Sequence, residues 1–334
     1  MPATLHDVAR LAKVSIKTVS NVVNDHPGAS DETRERVRRA IAELDYQPNL
    51  SARTLRSGRS GVIGLVVPEL SLSYFAQLAD AVIARADERG LVVQVEQTGG
   101  DADRELSVLS SPRIKLADGV LFAPLGIAQG TREVPVVRYP LVVLGERIFE
   151  GSIDHVGMRN SEAAQAATQV LLDAGRRRIA VVGAHPGEVP GTATLRFEGY
   201  RSALTAAGLA VDERLVLEAR LWHQADGAHA IRRLLEARVP FDGVFAMNDA
   251  LALGVMRVLQ QEGVHLPDDV AVIGFDNIDE GQYSMPSLTT IDPGRDAIAR
   301  TAVDLLVERI ADRGDRVDPR DVRVEFEVVR RESA

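Results

Sequence analysis

The chain has 334 residues, 45% of them hydrophobic, which exceeds one ordinary domain and fills a sizeable core, so a soluble globular protein of two or three units is expected. The absence of cysteine removes disulfides, thiolate nucleophiles and cysteine-type zinc sites, and the longest apolar runs, such as 61–67 and 141–144, fall far short of the roughly 20 residues a membrane helix needs. The net charge of −9 hides an asymmetry: the first sixty residues carry ten Lys/Arg against seven Asp/Glu and the rest carries 29 against 41, so the two parts suit different partners. The opening MPATLHDVARLAKV has no apolar signal-peptide core, which makes the cytoplasm the expected location and excludes a membrane partner.

Three short helices are expected first. Thr4 followed by Asp7 is a capping-box start, and Leu5, Val8, Ala9 and Ala12 recur at the spacing of one amphipathic helix of about two turns. Ser15 caps a second helix, whose apolar stripe is Ile16, Val19, Val22 and Val23 and whose Lys17, Thr18, Ser20, Asn21 and Asn24 point elsewhere. Ser30 caps a third, with Val37, Ala40, Ile41 and Leu44 on its buried face. Two helices joined by the tight turn Ala12-Lys13-Val14 fit the helix-turn-helix plan, in which the second helix lies in the major groove of duplex DNA. Lysine can contact guanine, asparagine can pair with adenine through two hydrogen bonds, and small hydroxyls reach phosphates, although any three-helix bundle also needs a polar outer face.

Pro48 ends this headpiece, Asn49 can cap a short segment from Leu50 to Arg56, and Ser57 to Gly61 reads as a flexible connection. Segments this short do not hold a helix alone, so this one is expected to form only when something supports it. The expected domains are therefore residues 1–48 as an all-α helix-turn-helix headpiece, 49–60 as hinge and linker, and 61–334 as an effector-binding and dimerisation domain.

From Gly61 the pattern becomes short β-rich runs alternating with helices. Strands are expected at 61–67, 91–97, 119–123, 141–145, 178–183, 243–247, 270–275 and 321–329, and helices at 75–89, 161–174, 195–207, 225–237, 250–261 and 295–309. This alternation predicts an α/β domain of two lobes, each a doubly wound parallel sheet covered on both faces. Ligands bind such sheets beyond the carboxyl ends of the strands, which singles out Tyr74 and Phe75, Glu146, Asn248 with Asp249, and Asp276 with Asn277. Together with Arg196 and Trp222, the only tryptophan, they offer carboxylates, amides, a cation and an aromatic plane suited to a sugar-like ligand. Each also has an ordinary alternative, as a helix cap for the Asp and Asn residues and as core packing for the aromatic ones.

Thr4, Asp7-Val8-Ala9, Ala12, Val14-Ser15, Thr18-Val19-Ser20 and Asn24, extended by Tyr46 and Pro48-Asn49, together resemble the signature of the lactose-repressor (LacI/GalR) family. Pro286 with Leu288-Thr289-Thr290-Ile291 is similar to that family's P-x-L-T-T-I segment, so the resemblance runs nearly the whole length. It implies a periplasmic-binding-protein-like sensor and a sequence-specific transcriptional regulator, most simply a repressor. Ile16, Lys17 and Asn21 then stand at base-reading positions, with Ser15, Thr18, Ser20 and Asn24 on the phosphate backbone. In the hinge, Leu55 matches the family's minor-groove wedge, with Ala52, Arg53 and Arg56 beside it. Arg196, Trp222, Asn248 and Asp276 fall on effector-contacting positions, Glu146 replaces a usual aspartate, and Arg159-Asn160 stands where relatives often show Asp-Asn, which is expected to alter the rim of the cleft.

The implied partners are a pseudo-palindromic DNA operator, a homodimer partner and a small-molecule effector, with a sugar as the first reading and a purine, a nucleoside or a protein co-effector as alternatives. A tetramer is disfavoured because no leucine heptad follows the sensor. Lys13 departs from the glycine or asparagine usual at its turn. No phosphate loop, H-E-x-x-H pair, G-x-S-x-G elbow or dinucleotide fingerprint is present, so no catalytic residue, metal or cofactor is expected.

Overall fold

The computed structural model describes residues 3–23, 27–46, 59–127, 137–145, 153–185, 191–219, 221–312 and 318–334. The chain divides into two compact units, Met1–Ser60 and Gly61–Ala334.

In the smaller unit, α1 (Leu5–Ala12) starts on a reciprocal cap in which Asp7 N–H donates to the Thr4 hydroxyl and Thr4 N–H donates to the Asp7 carboxylate. The Thr4 hydroxyl, which donates to the Asp7 carboxylate at 2.6 Å, and the Thr4 N–H together hold that carboxyl below its ordinary range. Lys13 then takes a left-handed conformation, φ 52° and ψ 47°, and Val14 N–H closes the turn on the Ala9 carbonyl at 3.1 Å. A side chain is disfavoured there by about 1 kcal/mol. α2 (Ile16–Val23) follows on Ser15, whose hydroxyl accepts Thr18 N–H at 3.1 Å, and α3 (Asp31–Glu43) follows on Ser30. Val8, Ala9, Ala12, Val19, Val22, Val37, Ala40 and Tyr46 form the shared core.

The larger unit has two lobes. The first is built from β1 (Val62–Val67), α4 (Ser73–Glu88), β2 (Val92–Gln97), α5 (Ala102–Ser110), β3 (Gly119–Phe122), β4 (Leu141–Leu144) and β5 (Asp154–Gly157). The chain then crosses to the second lobe, which holds α6 (Asn160–Asp173), β6 (Ile179–Ala184), α7 (Thr192–Ala206), β7 (Val216–Glu218), α8 (Gln224–Glu236), β8 (Gly243–Ala246), α9 (Asp249–Gln261), β9 (Ala271–Ile273), α10 (Asp279–Gln282) and β10 (Thr290–Asp292). It returns to the first lobe with α11 (Arg295–Ala311) and β11 (Asp321–Arg323) and ends in the second with β12 (Glu327–Val329).

The first lobe's sheet is parallel throughout, in the order β11-β5-β4-β3-β1-β2, and the second's runs β7-β6-β8-β9, also parallel. Continuous apolar strands result because both faces are covered: Ile63, Leu65 and Val67 pack into one core of the first lobe and Val66 into the other. In the second lobe α8 and α9 approach so closely that a Cβ on Gly254 would lie 1.9 Å from the Gln224 carbonyl, which fixes the two helix starts nearest the cleft.

The expected strand at 321–329 is two strands in two sheets, since β11 pairs with β5 while β12 pairs antiparallel with β10. The chain crosses between lobes at that break, where Val324 N–H bonds the Gly157 carbonyl. The sequence reading also passed over α5, α10, β5, β7 and β10. Of these, β5 reads Asp-His-Val-Gly, with one branched apolar residue and a buried acid, and carries no apolar run to notice.

Candidate functional site

On the headpiece, α2 turns Val19 and Val22 inward and leaves Lys17 exposed, with Asn21 one turn later on the same side and half-buried. Ser15 is exposed and its hydroxyl lies 2.9 Å from that of Thr18, so both are held at the start of the helix. Ser20 is half-buried, and Ile16 divides its surface between solvent and the headpiece core. Asn24, and Ala52, Arg53, Leu55 and Arg56 of the expected hinge, lie outside the described residues, as does Glu146.

The larger unit contains a cleft between its lobes, and six of the expected effector residues line it: Tyr74, Phe75, Arg196, Trp222, Asn248 and Asp276. They come from distant parts of the chain. Tyr74 and Phe75 open α4, with their rings packed edge to face 5.2 Å apart. Burial pushes the Tyr74 phenol far up, reinforced by the Asp276 charge, so this hydroxyl stays protonated and can donate.

Arg196, from α7, is 3% exposed and is the centre of the polar wall. Its Nε donates to Asn160 Oδ1 at 2.7 Å, Nη1 donates to the Met247 carbonyl, and the guanidinium lies 3.5 Å over the Phe275 ring. Asp276 stands 3.7 Å away with φ 115°, followed by Asn277 at φ 50°. Burial raises the Asp276 carboxyl to about 7, although Arg196 and Arg295 both favour its charge.

Asn248 and Trp222 each take the ordinary role while also facing the cleft. Asn248 Oδ1 accepts Leu251 N–H at 2.8 Å and so caps α9, and its Nδ2 donates to the Trp222 carbonyl at 3.0 Å. Trp222, held at φ 59°, donates its ring N–H to the Gly183 carbonyl at 2.9 Å. Its indole is presented as a fixed plane with His185 at 5.6 Å and Arg196 at 5.4 Å.

Behind this wall, Asp249 is fully buried. Its carboxyl receives Ile278 N–H at 2.9 Å and the Thr290 hydroxyl at 2.5 Å, so it ties down the turn that carries Asp276. Burial, and then the nearby Asp276, push that carboxyl well above the usual carboxylate range.

Asn160, expected at the rim, lines the cleft, and the sequence reading missed the rest of the lining. His185 and Thr192 add polar groups from the second lobe, and Leu72, Leu78, Pro124, Leu125 and Leu144 make the first lobe's wall largely apolar. Leu144 ends an apolar run and Leu78 lies on an apolar helix face, so both read from sequence as ordinary core. Arg159 stands between the lining residues Met158 and Asn160 and pairs with Glu325 at 2.8 Å.

Comparison with known proteins finds matches in two parts of the chain. Residues 4–49 match the bacterial regulatory proteins, lacI family, and residues 168–334 match a periplasmic binding protein-like domain. The chain is 34% identical over 311 residues to the ribose operon repressor of Escherichia coli, covering 92% of this chain and 93% of that one. It is 31% identical to the HTH-type transcriptional repressor PurR of Vibrio atlanticus, covering 93% of each. Among solved structures, a LacI-family chain from Sanguibacter keddieii is 56% identical, with a TM-score of 0.77 over 82% of this chain and 98% of that one. The transcriptional regulator CelR in complex with cellobiose is 31% identical, with a TM-score of 0.72 over 99% of this chain and 100% of that one.

Proposed function

The chain belongs to the lacI family of bacterial regulatory proteins, and from that premise we propose that it is a cytoplasmic homodimeric repressor whose grip on a pseudo-palindromic operator is set by a sugar in the interlobe cleft. The observation that carries the effector reading is the opposition of two walls. The second lobe offers Arg196, Asp276, Asn160 and Thr192, whose charged, amide and hydroxyl groups suit a polyhydroxylated ligand, and the Trp222 plane suits the apolar face of a sugar ring. The first lobe offers an apolar wall against which that ring can be desolvated.

Ile16, Lys17 and Asn21 would read bases, and Ser15, Thr18 and Ser20 would hold phosphates. Closure or opening of the lobes would alter the fit to operator, with a coupling of about 1–3 kcal/mol, or roughly 5- to 150-fold in affinity. No catalytic step is assigned to the cleft, whose residues bind and orient. No helix among the described residues is long and apolar enough to cross a membrane.

A purine effector is the second reading, favoured by the two aromatic residues Tyr74 and Phe75 on the wall opposite Trp222. One experiment tests both parts. Genomic fragments captured by the full-length protein at low ionic strength should share a two-fold symmetric site. Titration of Trp222 fluorescence with D-ribose, cellobiose and hypoxanthine should then separate sugar from purine. Failure to retain any fragment, with or without these ligands, overturns the regulator reading, and a response to hypoxanthine alone overturns the sugar.

A further inference from the structure

The loop that follows β3 supplies part of the apolar wall of the cleft, and three of its N–H groups converge on one carboxylate. Ala123 N–H bonds the Val66 carbonyl at 2.9 Å, and Pro124, which has no N–H, then ends the ladder with β1. The next three donors need partners of their own. Leu125 N–H and Gly126 N–H reach Glu105 Oε1 at 2.8 and 3.0 Å, and Ile127 N–H reaches Oε2 at 2.8 Å.

Glu105 stands on the first turn of α5 and is fully buried, so it cannot meet an effector itself. Burial takes water from its carboxylate, and the three hydrogen bonds replace that water. Successive N–H groups turned toward one point form a concave receptor for an anion. Here the occupant is a side chain of the neighbouring helix.

The rest of the loop is held in other ways. A Cβ on Gly126 would lie 2.4 Å from the Gly100 carbonyl oxygen, so the backbone there rests directly on the turn before α5. Ile127 is buried in one core of the first lobe with Leu109 and Phe122. Leu125 is left exposed and lines the cleft. The carboxylate therefore grips the backbone of the residue whose side chain forms the wall, while burial of Ile127 anchors the far end.

We propose that Glu105 is a positioning residue of the cleft: its carboxylate fixes Leu125 in the wall and so sets how well an effector fits. The consequence for the effector rests on the reading of this cleft as the effector site, whereas the placement of Leu125 does not.

Glu105→Gln keeps the shape of the side chain but leaves one accepting oxygen, so its amide must set a donor against at least one of the three N–H groups. A residue that only fills space would not register that change. The chain has no cysteine, so Leu125→Cys carries the only thiol, placed in the wall. In the full-length protein without effector, adding Glu105→Gln should speed the reaction of that thiol with N-ethylmaleimide about fivefold or more. With Leu125 intact, Glu105→Gln should accelerate amide hydrogen exchange at residues 125–127 while β1 and β4 keep wild-type protection, which also establishes that the variant is folded. For whichever of D-ribose, cellobiose and hypoxanthine changes the Trp222 fluorescence of wild type, Glu105→Gln and Leu125→Ala should each weaken binding about fivefold or more. The double variant should bind no more weakly than the worse single one, since both act through the same side chain. Wild-type thiol reactivity or wild-type exchange at 125–127 in Glu105→Gln overturns the proposal, and so do losses that add in the double variant. The thiol and exchange measurements use neither effector nor DNA, so a wild-type protein that answers to none of the three compounds counts against the effector reading alone.

Discussion

Asp276 concentrates the unusual physics of the cleft in one residue. It sits at φ 115° beside Asn277 at φ 50°, conformations that cost non-glycine residues of order 1–3 kcal/mol each. They persist because neighbours hold both sides of the turn: Asp276 N–H bonds the Ile291 carbonyl at 2.9 Å, Asn277 donates to Asp292 at 3.0 Å, and Arg331 donates to Asn277 at 2.7 Å. Burial raises the Asp276 carboxyl from 3.8 to about 7, so the folded protein binds this proton more tightly than the unfolded chain. The contribution to stability is therefore fully present below about pH 4 and is lost as pH rises through about 7, to a limit of about 4 kcal/mol. Asp276→Asn removes this titration. Its stability relative to wild type should rise between pH 4 and 7, measured by urea midpoints across that range, and parallel curves would contradict the assignment. Part of the slope should survive in the variant, because Asp249 is also raised by burial. At this scale sequence found the polar residues that follow strands, because chain position alone marks them. It passed over His185, which directly follows β6, and it could not find the Leu72 and Leu125 wall, since these residues become neighbours of the polar set only when the lobes meet.

Elements whose apolar period is strong were legible: β1, β3, β4, β6 and β8 are buried on both faces and read as unbroken apolar runs. β5 was illegible because its place in the sheet depends on charge. Asp154 has a fully buried side chain, receives Arg309 Nε at 2.7 Å and Nη2 at 2.8 Å, and also accepts Arg320 N–H at 2.8 Å. Burial is the largest single influence and works against its charge, yet the hydrogen bonds and charges of Arg309 and Arg320 together outweigh it and hold the carboxyl below its ordinary range. This pair ties β5 to α11 and to the loop before β11, across the edge of the first lobe's sheet. Arg309→Ala leaves the buried carboxylate only the Arg320 N–H and the Arg320 guanidinium 3.8 Å away, and should destabilise the protein by about 3 kcal/mol, the low end for breaking a buried pair. Asp154→Asn leaves no buried charge and should cost less. Urea denaturation of the two variants decides the order, and equal losses would mean that the pair acts only through packing. The split of 321–329 into β11 and β12 was hidden for a related reason. A strand that changes sheets keeps its local pattern, and only the pairing partners reveal the crossing.

At the scale of the whole molecule, the sequence shows two electrostatic bodies, a first sixty residues with ten basic against seven acidic side chains and a remainder with 29 against 41. The acidic remainder gains nothing by approaching phosphates, so operator affinity must come from a small number of cations on a small surface. Such binding releases condensed counterions, and its logarithm falls linearly with the logarithm of salt concentration, with a slope of about 0.9 for each phosphate neutralised. Lys17 is one exposed cation on α2, and Asn21, one turn away, is uncharged. In full-length protein bound to its captured operator, Lys17→Ala should lower affinity and flatten the salt slope by about one unit per headpiece. Asn21→Ala should lower affinity by about 1–3 kcal/mol on the cognate site and leave the slope unchanged, because it removes hydrogen bonds to a base edge without removing a cation. The separation of the two effects carries the argument. If Asn21→Ala weakened cognate and random DNA alike, α2 would be touching backbone only, and sequence reading would have to reside in another part of the headpiece.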